Sequence, residues 1–251
     1  MIDIIIPSFI LSLSLVLIHV YFGLRIFERG IIFSDIAIAQ VSALGIAFSS
    51  LFGLEKLSYI FGVGFSAIAG LLLSAMRKYS VELKESFVGI LYAFSSALGI
   101  LIFSKMPEHE IQGIKEMIMG NILFVDTEDV LKGTIVYVSV GVVHLLLRRK
   151  IKNGSFFWEF FFYLTFGFVV SSSVSMGGVL LVFSYLVIPT FCSNLILKDF
   201  RSKLIFGWIL GIVSNLIGFV ISIKLDYPTG VSVIVVLGAI SFIFLLFSKL
   251  R

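Results

Sequence analysis

Residues Leu204–Ile223 read LIFGWILGIVSNLIGFVISI, an unbroken run without a formal charge, entered through the charged cluster Lys198-Asp199-Phe200-Arg201-Ser202-Lys203. A helix needs about 20 mostly apolar residues to cross roughly 30 Å of hydrocarbon, and this run is that long. Its β-branched and aromatic content would suit a strand in water. In lipid the backbone must satisfy its own hydrogen bonds, so a run of this length reads as a helix. A transmembrane barrel would show alternating segments of about ten residues, and the run does not alternate.

Eight further runs of the same kind extend the reading to nine: Ile4–Gly23, Ile36–Phe52, Tyr59–Ala75, Phe87–Phe103, Val130–Leu147, Trp158–Val174, Gly177–Leu197 and Thr229–Phe247 join Leu204–Ile223. Composition agrees. The 251 residues are 59% hydrophobic and 14% charged, and mean hydropathy is +1.13. That leaves too little polar surface to cover a water-soluble core. Disorder, coiled coil and the usual soluble catalytic or nucleic-acid-binding domain are excluded. The expected fold is an all-α polytopic membrane helical bundle, one transmembrane domain over residues 1–251. A net charge of +4 does not point to nucleic acid, because the charges sit in short bursts between apolar runs. The start, Met1-Ile2-Asp3, lacks the basic region of a cleaved signal peptide, so the first run is expected to stay as a helix. The single Cys192 excludes an internal disulfide and a cysteine-based zinc cluster.

The basic residues are unevenly shared. Arg25, Arg29, Arg77, Lys78, Lys84, the run from Arg148 to Lys152, Lys198, Arg201, Lys203, Lys249 and Arg251 fall in one set of alternate loops. Lys56, Lys105, Lys115, Lys132 and Lys224 fall in the other. The positive-inside rule makes the larger set cytoplasmic, with the N-terminus outside and the C-terminus inside. Small residues recur four apart at Gly62, Ser66, Gly70 and Ser74, and again at Gly207 and Gly211, a spacing that lets helix backbones approach closely.

Two segments are not plain spans. Ser104–Asp129 carries Glu108, His109 and Glu110, then the apolar piece Ile114–Phe124, which is too short to cross. Carboxylates flanking an imidazole suit a divalent cation such as zinc or manganese, while the same residues also read, more simply, as a solvated loop that is acidic because it lies outside. His109-Glu110 begins a zinc-protease motif that Gly113 ends. In the other segment, Leu186–Lys203, Pro189 interrupts an apolar run, and two readings stay open: a short helix restarting along the cytoplasmic face, or a proline kink within the helix. Inside the apolar runs, polar residues are costly and therefore informative. Asp35 and Gln40 open the second run and His19 and His144 lie within the first and fifth. Asp35 reads either as a helix-start residue or as part of a pathway. No phosphate-binding loop is present, since Gly62-Val63-Gly64-Phe65 lacks the Lys-Ser/Thr that such a loop needs.

The order of several short motifs resembles the membrane-spanning permease subunit of the zinc/manganese-type ABC importers. They are Arg29-Gly30-Ile31-Ile32-Phe33 leading into Ala39-Gln40-Val41-Ser42-Ala43-Leu44-Gly45, then Glu85-Ser86-Phe87-Val88-Gly89-Ile90, then Met119-Gly120-Asn121-Ile122-Leu123 with Asp129 following. Gly177-Gly178-Val179-Leu180-Leu181-Val182, Ile188-Pro189 and Asp226-Tyr227-Pro228-Thr229-Gly230 complete the set, so the resemblance covers about residues 20 to 247. It implies a homodimeric permease in a prokaryotic cytoplasmic membrane. The implied partners are a cytoplasmic ATP-binding subunit, an extracytoplasmic solute-binding protein and a divalent metal cargo. It implies no enzymatic activity and no cofactor. It also implies that Pro189–Leu197 is the coupling helix, with Pro189, Ser193, Asn194, Lys198, Asp199 and Arg201 facing the ATPase. A translocation pathway along Asp35, Gln40, Ser42 and Gly45 goes with that reading.

The sequence departs from the family at one place. Many members carry an Asp and, four residues later, a His on the second span. Alignment on Gly45 puts Ile36 and Gln40 at those positions, with Asp35 about 100° round the helix from Ile36. Three readings stay open: the ion uses other groups, the binding protein selects it, or the cargo is another metal or a chelate. Outside the family, a gradient-driven secondary transporter would need ionisable groups near mid-membrane. An intramembrane enzyme would need a partner for Ser171-Ser172-Ser173.

Overall fold

A computed structural model describes residues 2–106, 122–152 and 155–248. Nine helices among the described residues are long and apolar enough to cross a membrane. They are α1 (Ile2–Arg29), α2 (Ser34–Leu51), α3 (Ser58–Ala75), α4 (Val81–Phe103), α5 (Thr127–Leu146), α6 (Phe156–Gly177), α7 (Val179–Ile196), α8 (Phe200–Leu225) and α9 (Thr229–Ser248). A short helix, Arg148–Lys152, follows α5. The described regular structure is helical throughout. Several helices outrun their apolar cores: α1 continues to Arg29 through the Arg25–Glu28 ion pair at 2.9 Å, and α4 starts at Val81 behind Ser80, whose Oγ accepts from the Leu83 amide. Apolar length measures the hydrocarbon, whereas a helix continues into the headgroup layer until a cap or a glycine stops it.

Large apolar side chains that face outward, such as Ile90, Phe94 and Ile100 on α4 and Val235 and Phe242 on α9, would be anomalous in water. In a bilayer they are the lipid-facing stripe of each span.

The described residues fall into two compact units. One contains residues 2–28, 122–139 and 176–248. Within it α7, α8 and α9 pack on one another, and α8 also meets α1. A Cβ at Gly207 or Gly211 would stand 2.6 or 2.5 Å from a Cγ1 of Val20 or Val16, so this glycine pair is where α1 seats. A Cβ at Gly218 would stand 2.5 Å from Val233 on α9 in the same way. Lipid provides no hydrophobic drive for helix association, so such close approach supplies the packing energy. The turn into α9 is closed by Asp226, a non-glycine residue at φ 55°, whose amide donates to the Ser222 carbonyl.

The other unit contains residues 29–106, 140–152 and 155–175. Here α2 packs against α3 and α4, and α6 covers α3. The small-residue stripe of α3 is buried and serves two neighbours: Gly62 stands against Ser42 and Ile46 of α2, and Gly70 against Tyr163 of α6.

Of the two readings at Pro189, the restarted short helix is not formed, and the helix runs on through the proline. Val179–Ile196 is one helix with Pro189 in its interior, and its start is set at Gly178, whose φ of 81° favours glycine. Proline removes one backbone hydrogen bond, which neighbouring helices in a bundle compensate.

Candidate functional site

The first candidate surface lies on α2. Asp35 is 2% exposed in the first turn, and its Oδ1 has no hydrogen-bond partner among the described residues; the same holds for Ser34 Oγ. The helix N-terminus favours a negative charge there. A buried carboxylate oxygen without a donor is costly, however, and so is poised to accept from water or to bind a cation.

Seven residues on, nearly on the same face, Ser42 donates to Ser171 Oγ at 2.8 Å, and Ser171 shares a 2.6 Å contact with Ser66 Oγ. Ser66 and Ser171 also donate to the Gly62 and Gly167 carbonyls of their own helices, each at 2.8 Å. This knot ties α2, α3 and α6 together in the core of its unit. Ser171 was singled out in the sequence for want of a catalytic partner, and its actual partners are structural hydroxyls.

Gly45 lets α2 and α3 touch, since a Cβ there would stand 2.6 Å from the Phe61 carbonyl oxygen. Gln40 is only partly buried and stands about 140° round α2 from Asp35. Of the four pathway residues, then, the helix brings Asp35 and Ser42 onto one face and sets Gln40 apart.

The second candidate surface is the turn between α7 and α8. Leu197 leaves the helix in extended conformation, and Asp199 begins α8 by accepting from the amides of Arg201 and Ser202 at 3.0 and 3.1 Å. Those amides hold its carboxyl below the usual carboxylate range, the Ser202 amide contributing most. Asn194 Oδ1 accepts from Lys203 Nζ at 2.6 Å, which ties the end of α7 to the first turn of α8. Lys198, Asp199 and Arg201 are exposed, Asn194 is half-buried, and Pro189 and Ser193 are buried. The six residues expected to meet an ATPase thus divide into an exposed charged turn and a buried helix end behind it.

Both buried histidines are engaged: His19 Nδ1 lies 2.8 Å from the Leu15 carbonyl, and His144 Nε2 lies 2.7 Å from Thr165 Oγ1. No group of three or more His, Cys, Asp or Glu able to hold a metal ion occurs among the described residues. Glu108, His109 and Glu110 lie outside those residues.

One polar network escaped the sequence reading. Tyr185 on α7 donates to Asn215 Oδ1 on α8 and contacts Ser12 Oγ on α1 at 2.9 Å, while Asn215 Nδ2 is buried without a partner among the described residues. The asparagine within the uncharged Leu204–Ile223 run was the available signal.

Residues 1–248 match the ABC 3 transport family. Over 214 residues the chain is 29% identical to the "Probable iron transport system membrane protein" of Haemophilus influenzae, covering 79% of this chain and 73% of that one. It is 23% identical to the "Manganese import system permease protein ScaB" of Streptococcus parasanguinis, covering 88% of this chain and 82% of the relative. Among solved structures it resembles the one described as PsaBC from Streptococcus pneumoniae in complex with Fab. That match has a TM-score of 0.76 at 17% identity and covers 96% of this chain and 90% of the other, a likeness of fold.

Proposed function

The chain belongs to the ABC 3 transport family, and from that premise we propose that it is the permease subunit of an importer for divalent metal ions of the zinc or manganese class, driven by a separate ATP-binding subunit. It is an integral protein of the prokaryotic inner membrane, built from helical spans. The observation that carries the reading is the family match along nearly the whole chain. The names of the relatives above, which carry iron and manganese, support the cargo class. A pair of permeases forms the pathway at their two-fold axis, and a solute-binding protein delivers the ion outside. The N-terminus is outside and the C-terminus inside, which places the α7–α8 turn on the ATPase.

On that reading the ion's route takes in Asp35 at the start of α2, whereas Ser42 is held by Ser171 inside its unit. The Asp35 carboxylate is the strong acceptor on that route. Among the described residues no three-ligand cage occurs, and an open site suits transport because one that holds an ion tightly releases it slowly. The gradient-driven alternative lacks support, since both buried histidines are committed to hydrogen bonds. No mid-membrane carboxylate replaces them among the described residues.

The test is accumulation of metal by cells deprived of their own importers and supplied with this chain, its ATPase and its binding protein. Elemental analysis is expected to show manganese or zinc rising only when all three are present. Normal expression without accumulation of any divalent ion contradicts the proposal. Alanine at Lys198 and Arg201 is expected to reduce co-purification of the ATPase about tenfold while leaving the permease folded, as loss of charge-assisted contacts at an interface should.

A further inference from the structure

One pocket has no part in the transport reading. It is about 50 Å³ and forms where helix ends meet: Arg29 at the end of α1, Arg77 in the turn after α3, Lys84 in the first turn of α4, and Glu159 and Tyr163 near the start of α6. A single water needs roughly 10–15 Å³ on this measure, so the space admits a larger group.

Arg29 Nε and Nη2 donate to the Glu159 carboxylate at 3.1 and 3.4 Å, and its guanidinium lies 3.8 Å from the Phe162 ring centre. That pair is neutral. The charge of the pocket therefore comes from Arg77 and Lys84, both half-buried, neither within ion-pair distance of a carboxylate among the described residues. Arg77 lies 5.6 Å from the Phe156 ring, which holds the guanidinium against the start of α6. Tyr163 is 3% exposed and contributes to the pocket wall.

We propose that this pocket binds a phosphate group, carried by the headgroup of an anionic phospholipid. Two uncompensated cations side by side are donors without an acceptor, and a phosphate oxyanion supplies acceptors of the right charge. All five residues stand at helix ends, on the side where basic residues accumulate, which is headgroup depth. Anionic lipid is at hand there, and basic pockets between transmembrane helices hold such headgroups. Free phosphate shares the chemistry and is the source to be separated from lipid.

The experiment is native mass spectrometry of the full chain with its ATPase, released from detergent and titrated with phosphatidylglycerol, phosphatidylcholine or inorganic phosphate. Phosphatidylglycerol is expected to bind about tenfold tighter than phosphatidylcholine, and the double variant R77Q/K84Q to lose about tenfold in that affinity. Lys224→Gln, which removes an exposed charge elsewhere, is expected to lose nothing. If the double variant does not fold, Lys84→Gln alone repeats the test. Equal affinity for phosphatidylglycerol in wild type and Lys84→Gln overturns the proposal, as does an equal loss in Lys224→Gln. Millimolar phosphate that binds the wild type and displaces the lipid overturns the lipid as the source.

Discussion

Asp35 and Asp199 stand at the starts of two long helices, and their surroundings are opposite. Asp199 is exposed, and Oδ2 accepts from the amides of Arg201 and Ser202, so its carboxylate builds the turn that carries it. Asp35 is buried and leaves Oδ1 without a donor among the described residues. One carboxylate is used up in local structure. The other costs stability where it is, and a costly buried charge is retained for what it can bind.

The same substitution at both positions breaks or sharpens this contrast. Asp35→Asn is expected to lower ATP-driven metal uptake by about tenfold or more, the size of a lost charge-assisted contact. Its melting temperature should stay the same or rise, because an unpaired buried charge is removed. Asp199→Asn should keep the turn, since asparagine caps as well as aspartate, and should lower uptake far less than Asp35→Asn. Equal effects of the two changes on uptake would end the distinction.

Next in size is Gly45→Ala. The added methyl meets the Phe61 carbonyl at 2.6 Å, so α2 and α3 must part, at a cost of about 1–3 kcal/mol read by thermal unfolding. Ser171→Ala removes the hydroxyl shared with Ser42 and Ser66 and should cost about 1 kcal/mol, in line with interhelical hydrogen bonds in membranes.

The smallest effect belongs to Asp199 and pH. Its carboxyl is held below the ordinary range by backbone amides. The cap is therefore fully present above the unfolded-state value and is lost as pH falls through the lower folded value. Hydrogen exchange at the Arg201 and Ser202 amides, corrected for intrinsic rates, should become faster on the acid side. Asp199→Asn should abolish that dependence.

The spans were legible because the bilayer imposes a length and a composition on every crossing. Leu204–Ile223 lies wholly inside α8, and Gly207 and Gly211 sit where their spacing put them, against α1. Ends were less legible: α1 continues past Gly23 to Arg29 because ion pairing outside the hydrocarbon carries no hydropathy signal. Pro189 left two readings open, since proline predicts a lost hydrogen bond and cannot say whether neighbouring helices will carry the helix through. Among site residues, Asp35 stood out from its rarity in an apolar setting. Its separation from Gln40 and its alignment with Ser42 come from helix phase, and the joining of Ser42, Ser66 and Ser171 depends on which helices pack together. Asn215 was visible in the run that decided the fold, but its partners Tyr185 and Ser12 are far along the chain and give no local sign.

The central claim is that ATP hydrolysis by a partner drives a divalent metal through this chain. Its most direct measurement is manganese and zinc accumulation in proteoliposomes that contain the permease, its ATPase and its binding protein, with ATP on the ATPase side and no ion gradient. The account predicts accumulation that requires ATP and survives collapse of proton and sodium gradients. Accumulation without ATP, driven by an imposed gradient in vesicles holding the permease alone, would contradict it.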